Sequence, residues 1–258
     1  MDVHPPYQSL HTWKDFWIHL GTITAGLLIA LGLQAAVEAV HHRHQRHQLE
    51  DALHEESAKN LIIIDRNMQV VDRYIAWLDE LQRGLITLRA QEKRSLAHAD
   101  SADGELGGLS NYSGLRSSVW QTAQTTGLTG LLSRETAQYY TRLYIQVDRV
   151  RPLAQQLFDA AEARVTYQAV FAAVERPGVA EIATMTREEL IAYTLLVERN
   201  LAAARDLRLR YLFASGATRS ILQGANSDEE VIAAENAAVE SHPDPTAAKP
   251  LHPPARVQ

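Results

Sequence analysis

Residues Phe16 to Val37 run for 22 positions without one Asp, Glu, Lys or Arg. A helix rises about 1.5 Å per residue, so this stretch spans roughly 33 Å, the thickness of a bilayer's hydrocarbon core. Everything after it is polar enough for water. The chain therefore reads as a transmembrane helix carrying one aqueous domain, the natural count for 258 residues. Val37-Glu38-Ala39 offers a loose signal-peptide cleavage site, but the apolar run exceeds the usual h-region and Lys14 is the leader's only Lys or Arg.

Trp13, Phe16 and Trp17 stand where an aromatic belt meets the headgroups. His41, His42, Arg43, His44 and Arg46 form a basic flank at the other end. Thr22, Gly26 and Ala30 recur every four residues, a small-residue face through which two such helices can pack as a homodimer. Orientation is nearly balanced. Lys14 precedes the segment and Arg43 and Arg46 follow it, a slight lean toward a cytoplasmic C-terminal side. A short tail, one anchor and a large domain is the layout of many extracytoplasmic domains, and that is the placement expected here, at a bacterial inner membrane.

From Gln34 to Arg83 no proline or glycine interrupts the chain, so the helix is expected to leave the membrane and continue. Leu61, Ile64, Met68, Val71, Ile75, Leu78, Gln82 and Leu85 alternate steps of three and four, the seam of an amphipathic helix. Asn60 and Asn67 lie beside it, as a polar layer or at the stripe's margin. The glycine-rich run 100–114 ends the helix. A short helix over Leu115–Thr125 follows, closed by Gly127. Ser133 is the expected N-cap of a second long helix running to about Val174, with Pro152 kinking it. Arg176-Pro177-Gly178 is a turn, and the Thr186/Glu189 capping box opens a last helix to about Leu222.

The expected fold is all-α: a transmembrane helix continuing into a long helix that packs in an antiparallel bundle. Its divisions are a tail at 1–15, the membrane helix at 16–37, the bundle at 38–225 and a tail at 226–258. That tail holds five of the nine prolines and reads as disordered apart from a turn of helix over Asp228–Val239.

Ile29-Ala30-Leu31-Gly32-Leu33-Gln34 leads into a long charged helix, followed by Trp120, Thr126-Gly127-Leu128, Leu132 and Tyr139-Tyr140. Over residues 15–145 this pattern resembles uncharacterised bacterial single-pass membrane proteins of the DUF6090-like kind. The His-rich flank and Pro-rich tail depart from it. The resemblance implies architecture and no catalytic residues.

Three clusters are candidates for chemistry. His47, Asp51 and His54 lie at i, i+4 and i+7 and share a helical face, a spacing that suits Zn²⁺ or a similar metal. The surrounding histidines read as a juxtamembrane collar on lipid headgroups, or as a pH-dependent patch. Trp120, Tyr139, Tyr140 and Tyr144 are either core or the lining of a small-ligand pocket. Arg205, Arg208 and Arg210 read as a solvated face balanced by Asp206 and Glu198, or as an anion grip. The sequence holds no nucleophile elbow, phosphate loop, dinucleotide fingerprint or metalloprotease motif. Cysteine is absent, which excludes disulfides and thiolate chemistry. Net charge is -6, concentrated in the tail, and the near-neutral body argues against nucleic-acid binding. The expectation is a non-enzymatic, cofactor-free interaction or scaffold protein, partnered by the bilayer, a second copy or an unknown protein. Sensing a small ligand, or responding to metal or pH through the His flank, are the alternatives.

Overall fold

The computed structural model describes residues 13–90, 109, 112–170, 182, 185–225, 227–244 and 246. The described residues form an all-helical bundle led by one long helix, α1 (Trp13–Ala90). Four more helices follow: α2 (Ser118–Thr126), α3 (Arg134–Ala169), α4 (Arg187–Leu222) and α5 (Asp228–Ser241), with a 3₁₀ turn at Leu128–Leu131 after α2. Most of the glycine-rich run, the Arg176-Pro177-Gly178 turn and the prolines beyond Thr246 lie outside the described residues.

At 78 residues, α1 is about 117 Å long. From Trp13 to His44 every side chain is exposed, and Leu49 is the first buried one. Beyond it the expected stripe turns inward: Leu53, Ile64, Val71, Ile75, Leu78 and Leu85 are all fully buried. The local signals hold. Ser133 Oγ accepts from the Thr136 amide at 3.1 Å at the start of α3. Thr186 and Glu189 close a complete capping box on α4. Gly127 caps α2 at φ 75°, in the left-handed region that glycine enters without cost. Pro152 sits inside α3, which continues past it.

Helix α4 is the hub, packing on α1, α3 and α5. Its contacts fix the directions. Asp65 meets Arg219 and Asp72 meets Arg208, so α1 and α4 are antiparallel. Gln146 meets Arg210 and Gln168 meets Tyr193, so α3 and α4 are antiparallel too. The same holds for α5, where Arg208 reaches the carbonyls of His242 and Pro243. Helices α1, α3 and α5 therefore all run in one direction against α4.

Because α1 and α3 point the same way, the chain between them has to come back. Residues 112–117 do this as a non-helical strap along α1. Asn67 receives the Ser113 amide (3.3 Å) and donates to its carbonyl (2.7 Å). Asn60 does the same for Arg116, at 2.8 and 2.7 Å. Seven helical residues rise about 10.5 Å and three extended residues span about 10 Å, so the two spacings match. The side-chain amides replace the neighbouring strand that this backbone lacks. Asn60 and Asn67 are neither a helix-register layer nor margin residues; they are clasps.

The helix expected over Asp228–Val239 is present as α5 (Asp228–Ser241), with Val231 and Glu235 buried. It lies so close to α4 that a Cβ on Gly216 would stand 2.5 Å from the Ala234 carbonyl oxygen. Gly216→Val is expected to destabilise the bundle by about 1–3 kcal/mol, since packed backbone has to move. Urea denaturation measures the loss, and hydrogen exchange should place it in α5; an unchanged midpoint would refute the close crossing.

Candidate functional site

The apolar part of α1 is long enough to cross a membrane, and none of its most apolar window is covered by the rest of the chain. At its start Trp13, Phe16 and Trp17 form a cluster with ring centroids 5.6–5.8 Å apart. Thr22 Oγ1 donates to the Ile18 carbonyl at 2.8 Å, which satisfies its hydroxyl within the helix. Thr22, Gly26 and Ala30 are exposed along one face.

The basic flank follows as free helix. His41, His42, Arg43 and His44 are exposed and Arg46 is half-buried. His42 stands 4.0 Å from Glu38, and Gln48 bonds His44 at 3.0 Å. Of the three candidate metal ligands, His47 lies 3.6 Å from Glu50, while Asp51 and His54 are exposed. Among the described residues no group of three or more His, Cys, Asp or Glu is placed to hold a metal ion. One helix presents these side chains, and no second element comes across to complete a ligand shell.

Trp120, Tyr139, Tyr140 and Tyr144 are brought together, but against each other. Trp120 and Tyr144 stack at 5.2 Å with ring planes 1° apart, and Tyr139 meets Tyr140 at 4.9 Å. Trp120, Tyr140 and Tyr144 belong to a core cluster with Leu49, Leu53, Leu143 and Ile221, against which Tyr139 packs. Sequence reasoning missed the group that organises them, Glu56. Only 4% exposed, it accepts from Tyr144 Oη (2.6 Å), Ser118 Oγ (3.0 Å) and the Val119 amide (3.1 Å). The last two donors open α2, where the helix dipole favours a carboxylate. Burial pushes the Tyr144 phenol far above the usual tyrosine range, and the bond and charge of Glu56 push it further. Burial raises Tyr140 as well. Neither phenol is an acid or base near neutrality; the arrangement anchors α2 to α1 and α3.

Arg205, Arg208 and Arg210 of α4 do not form a solvated face. Arg205 Nε lies 2.9 Å from Asp244, and its Nη2 donates to Thr246 at 2.6 Å. Arg208, 8% exposed, pairs with Asp72 at 2.5 Å and holds the His242 and Pro243 carbonyls. Arg210 donates to Gln146 and lies over Phe213. At the far end of the bundle Arg164 is 2% exposed, with its guanidinium 4.7 Å from the Trp77 ring centroid. It donates to Tyr193 at 3.4 Å and Gln168 at 3.5 Å, and no carboxylate pairs with it among the described residues. Its place on the stripe with Leu157 and Ala161 was the signal that it would be buried.

A cleft of about 130 Å³ lies between the strap and α3, with Tyr112, Leu115, Val150, Arg151, Ala154 and Phe158 around it. These features define a helical bundle continuous with a membrane-length helix. No protein-family model matches the chain, and no curated protein or solved structure matches it significantly.

Tyr144→Phe should cost about 1–3 kcal/mol in urea denaturation, because the buried Glu56 carboxylate loses its shortest donor. A change within experimental error would show that Glu56 is not held as described. Two carboxyls at α5 and just after it carry opposite pH signatures. Burial raises Glu235 above its ordinary 4.5, against the bonds from Gln146 and Arg142. Its folded form binds the proton more tightly, so its contribution to stability is greatest below 4.5 and declines as pH climbs above it. Burial also works to raise Asp244, but bonds from Thr246 and the charges of Arg205 and Arg208 outweigh it and hold it below 3.8. Its contribution is present above 3.8 and is lost as pH falls through the lowered value. Stability measured against pH should therefore lose its decline above 4.5 in Glu235→Gln, and its acid-side loss in Asp244→Asn.

Proposed function

We propose that this is a single-pass protein of the bacterial inner membrane whose bundle stands outside the cytoplasm and acts by binding protein partners as an interaction or scaffold module, not by catalysis. The observation that carries this reading is the continuity of α1. Its apolar first third is uncovered, and its amphipathic second half is a wall of the bundle. A helix without a break transmits position and rotation from the membrane to the bundle, as a scaffold requires. The resemblance to DUF6090-like proteins supports the same layout.

Self-association through Thr22, Gly26 and Ala30 belongs to this reading. At 100° per residue these three lie about 180° around α1 from Leu53, Ile64, Val71 and Leu78. A second copy on that face meets membrane helix first, and both bundles point away from the seam. The full membrane thickness is then available for close packing.

The test uses the full chain with a reporter joined after Gln258, since a junction near Gln223 would remove α5. The protein should stay in the membrane fraction through alkaline carbonate extraction, and a reporter active only outside the cytoplasm should be active. Cytoplasmic activity alone would overturn the orientation, and release by carbonate would overturn the anchor. Gly26→Ile should reduce self-association, read as energy transfer between labelled copies in a bilayer, by roughly tenfold or more, since close backbone approach is lost.

A further inference from the structure

We infer that the collar from Glu38 to Glu50 is a binding surface for anionic lipid headgroups whose charge is set by its four histidines. The inference rests on the membrane reading above and goes beyond it by naming the lipid class and the condition. The collar begins one residue past Val37, the end of the apolar run. A bilayer's polar layer adds about 5–8 Å on each side of the hydrocarbon, or about four to five helical residues, so the span His41 to His47 overlaps and just clears it. At 100° per residue His41, His42, His44 and His47 spread over about 220° of the helix and Arg43 and Arg46 stand in the remaining sector, so a basic or titratable side chain faces the lipid whatever the rotation of α1. The collar is exposed from Glu38 through His44 and again at His47 and Gln48, while Gln45, Arg46 and Glu50 are half-buried and Leu49 is the first core residue.

The charge arithmetic makes the histidines decisive. Arg43 and Arg46 cancel Glu38 and Glu50, so the collar is neutral when its imidazoles are neutral and gains four positive charges when they are protonated. Both acids stand beside members of the ring, with Glu38 4.0 Å from His42 and Glu50 3.6 Å from His47 and 3.9 Å from Arg46. Asp51 is the next charge on α1. Of the elements packed nearby, α2 and the 3₁₀ turn carry no charged residue. From α3, Tyr140 feels Glu50 but stays protonated, because burial raises it. Imidazoles are the groups whose charge changes between about pH 5 and 8, and each cation near an anionic surface strengthens attraction.

The test reconstitutes the full-length protein in phosphatidylcholine bilayers with a trace of spin-labelled phosphatidylglycerol or spin-labelled phosphatidylcholine. The motionally restricted fraction reports lipid beside the protein. The preference for phosphatidylglycerol over phosphatidylcholine should rise several-fold from pH 7.5 to 5.5 and fall when salt is added. In the H41Q/H42Q/H44Q/H47Q variant the pH response should vanish, while the restricted phosphatidylcholine fraction stays the same. A preference equal at both pH values, or a pH response that survives in the variant, would overturn the collar's role. Absence of any restricted component with either lipid would instead overturn the membrane reading itself.

Discussion

Helix α1 carries two different surfaces on one backbone. Through its first third the side chains are apolar on every side and uncovered; past Leu49 they are apolar on one side and covered. The helix is the one conformation that pairs its backbone groups internally in both settings, so the passage needs no joint. Everything else is arranged on the inner face of its second half. The bundle is fixed to the direction of the membrane-length segment because the two belong to the same helix.

The parallel run of α1 and α3 creates the second constraint. A returning segment with no helix or sheet of its own leaves backbone groups in need of partners. Glu56, Asn60 and Asn67 supply them along one edge of α1, and Tyr211 adds a contact to Asn67 at 2.8 Å. These polar residues interrupt an otherwise apolar stripe, yet each is buried and satisfied. They determine where the strap sits, and with it where α2 and α3 begin.

Helix α4 integrates the molecule through charge as well as apolar contact. Its arginines reach α1 at Asp65 and Asp72, α3 at Gln146 and the C-terminal segment at Asp244. From α3, Arg142 holds Asp228 at the start of α5 with two bonds. Exposed pairs of this kind contribute little individually, but they select one placement for a short helix that has few apolar anchors. The glycine at 216 then lets backbone meet backbone.

What the sequence determined alone is everything written in local spacing. The membrane-length apolar segment, the inward stripe of α1, the caps at Ser133 and Thr186 and the break at Gly127 each depend on residues of one continuous stretch of chain. The all-helical bundle follows from them. What only the tertiary structure decided is the identity of distant partners. Asn60 and Asn67 look like flaws in a stripe until the strap arrives from 46 and 56 residues away. Arg205 and Arg208 look solvated until His242, Pro243, Asp244 and Thr246 come back onto them. Helix over 228–239 is legible in the sequence, but its docking against α4 is not, because that comes from a backbone crossing at Gly216 and from Arg142, neither of which is nearby in the chain. Tyr139, Tyr140 and Tyr144 share a side of α3 in either reading; that they fill space around Trp120 rather than enclose it is a matter of how α2 docks. Local pattern sets which faces are buried, and long-range geometry sets what each face is buried against.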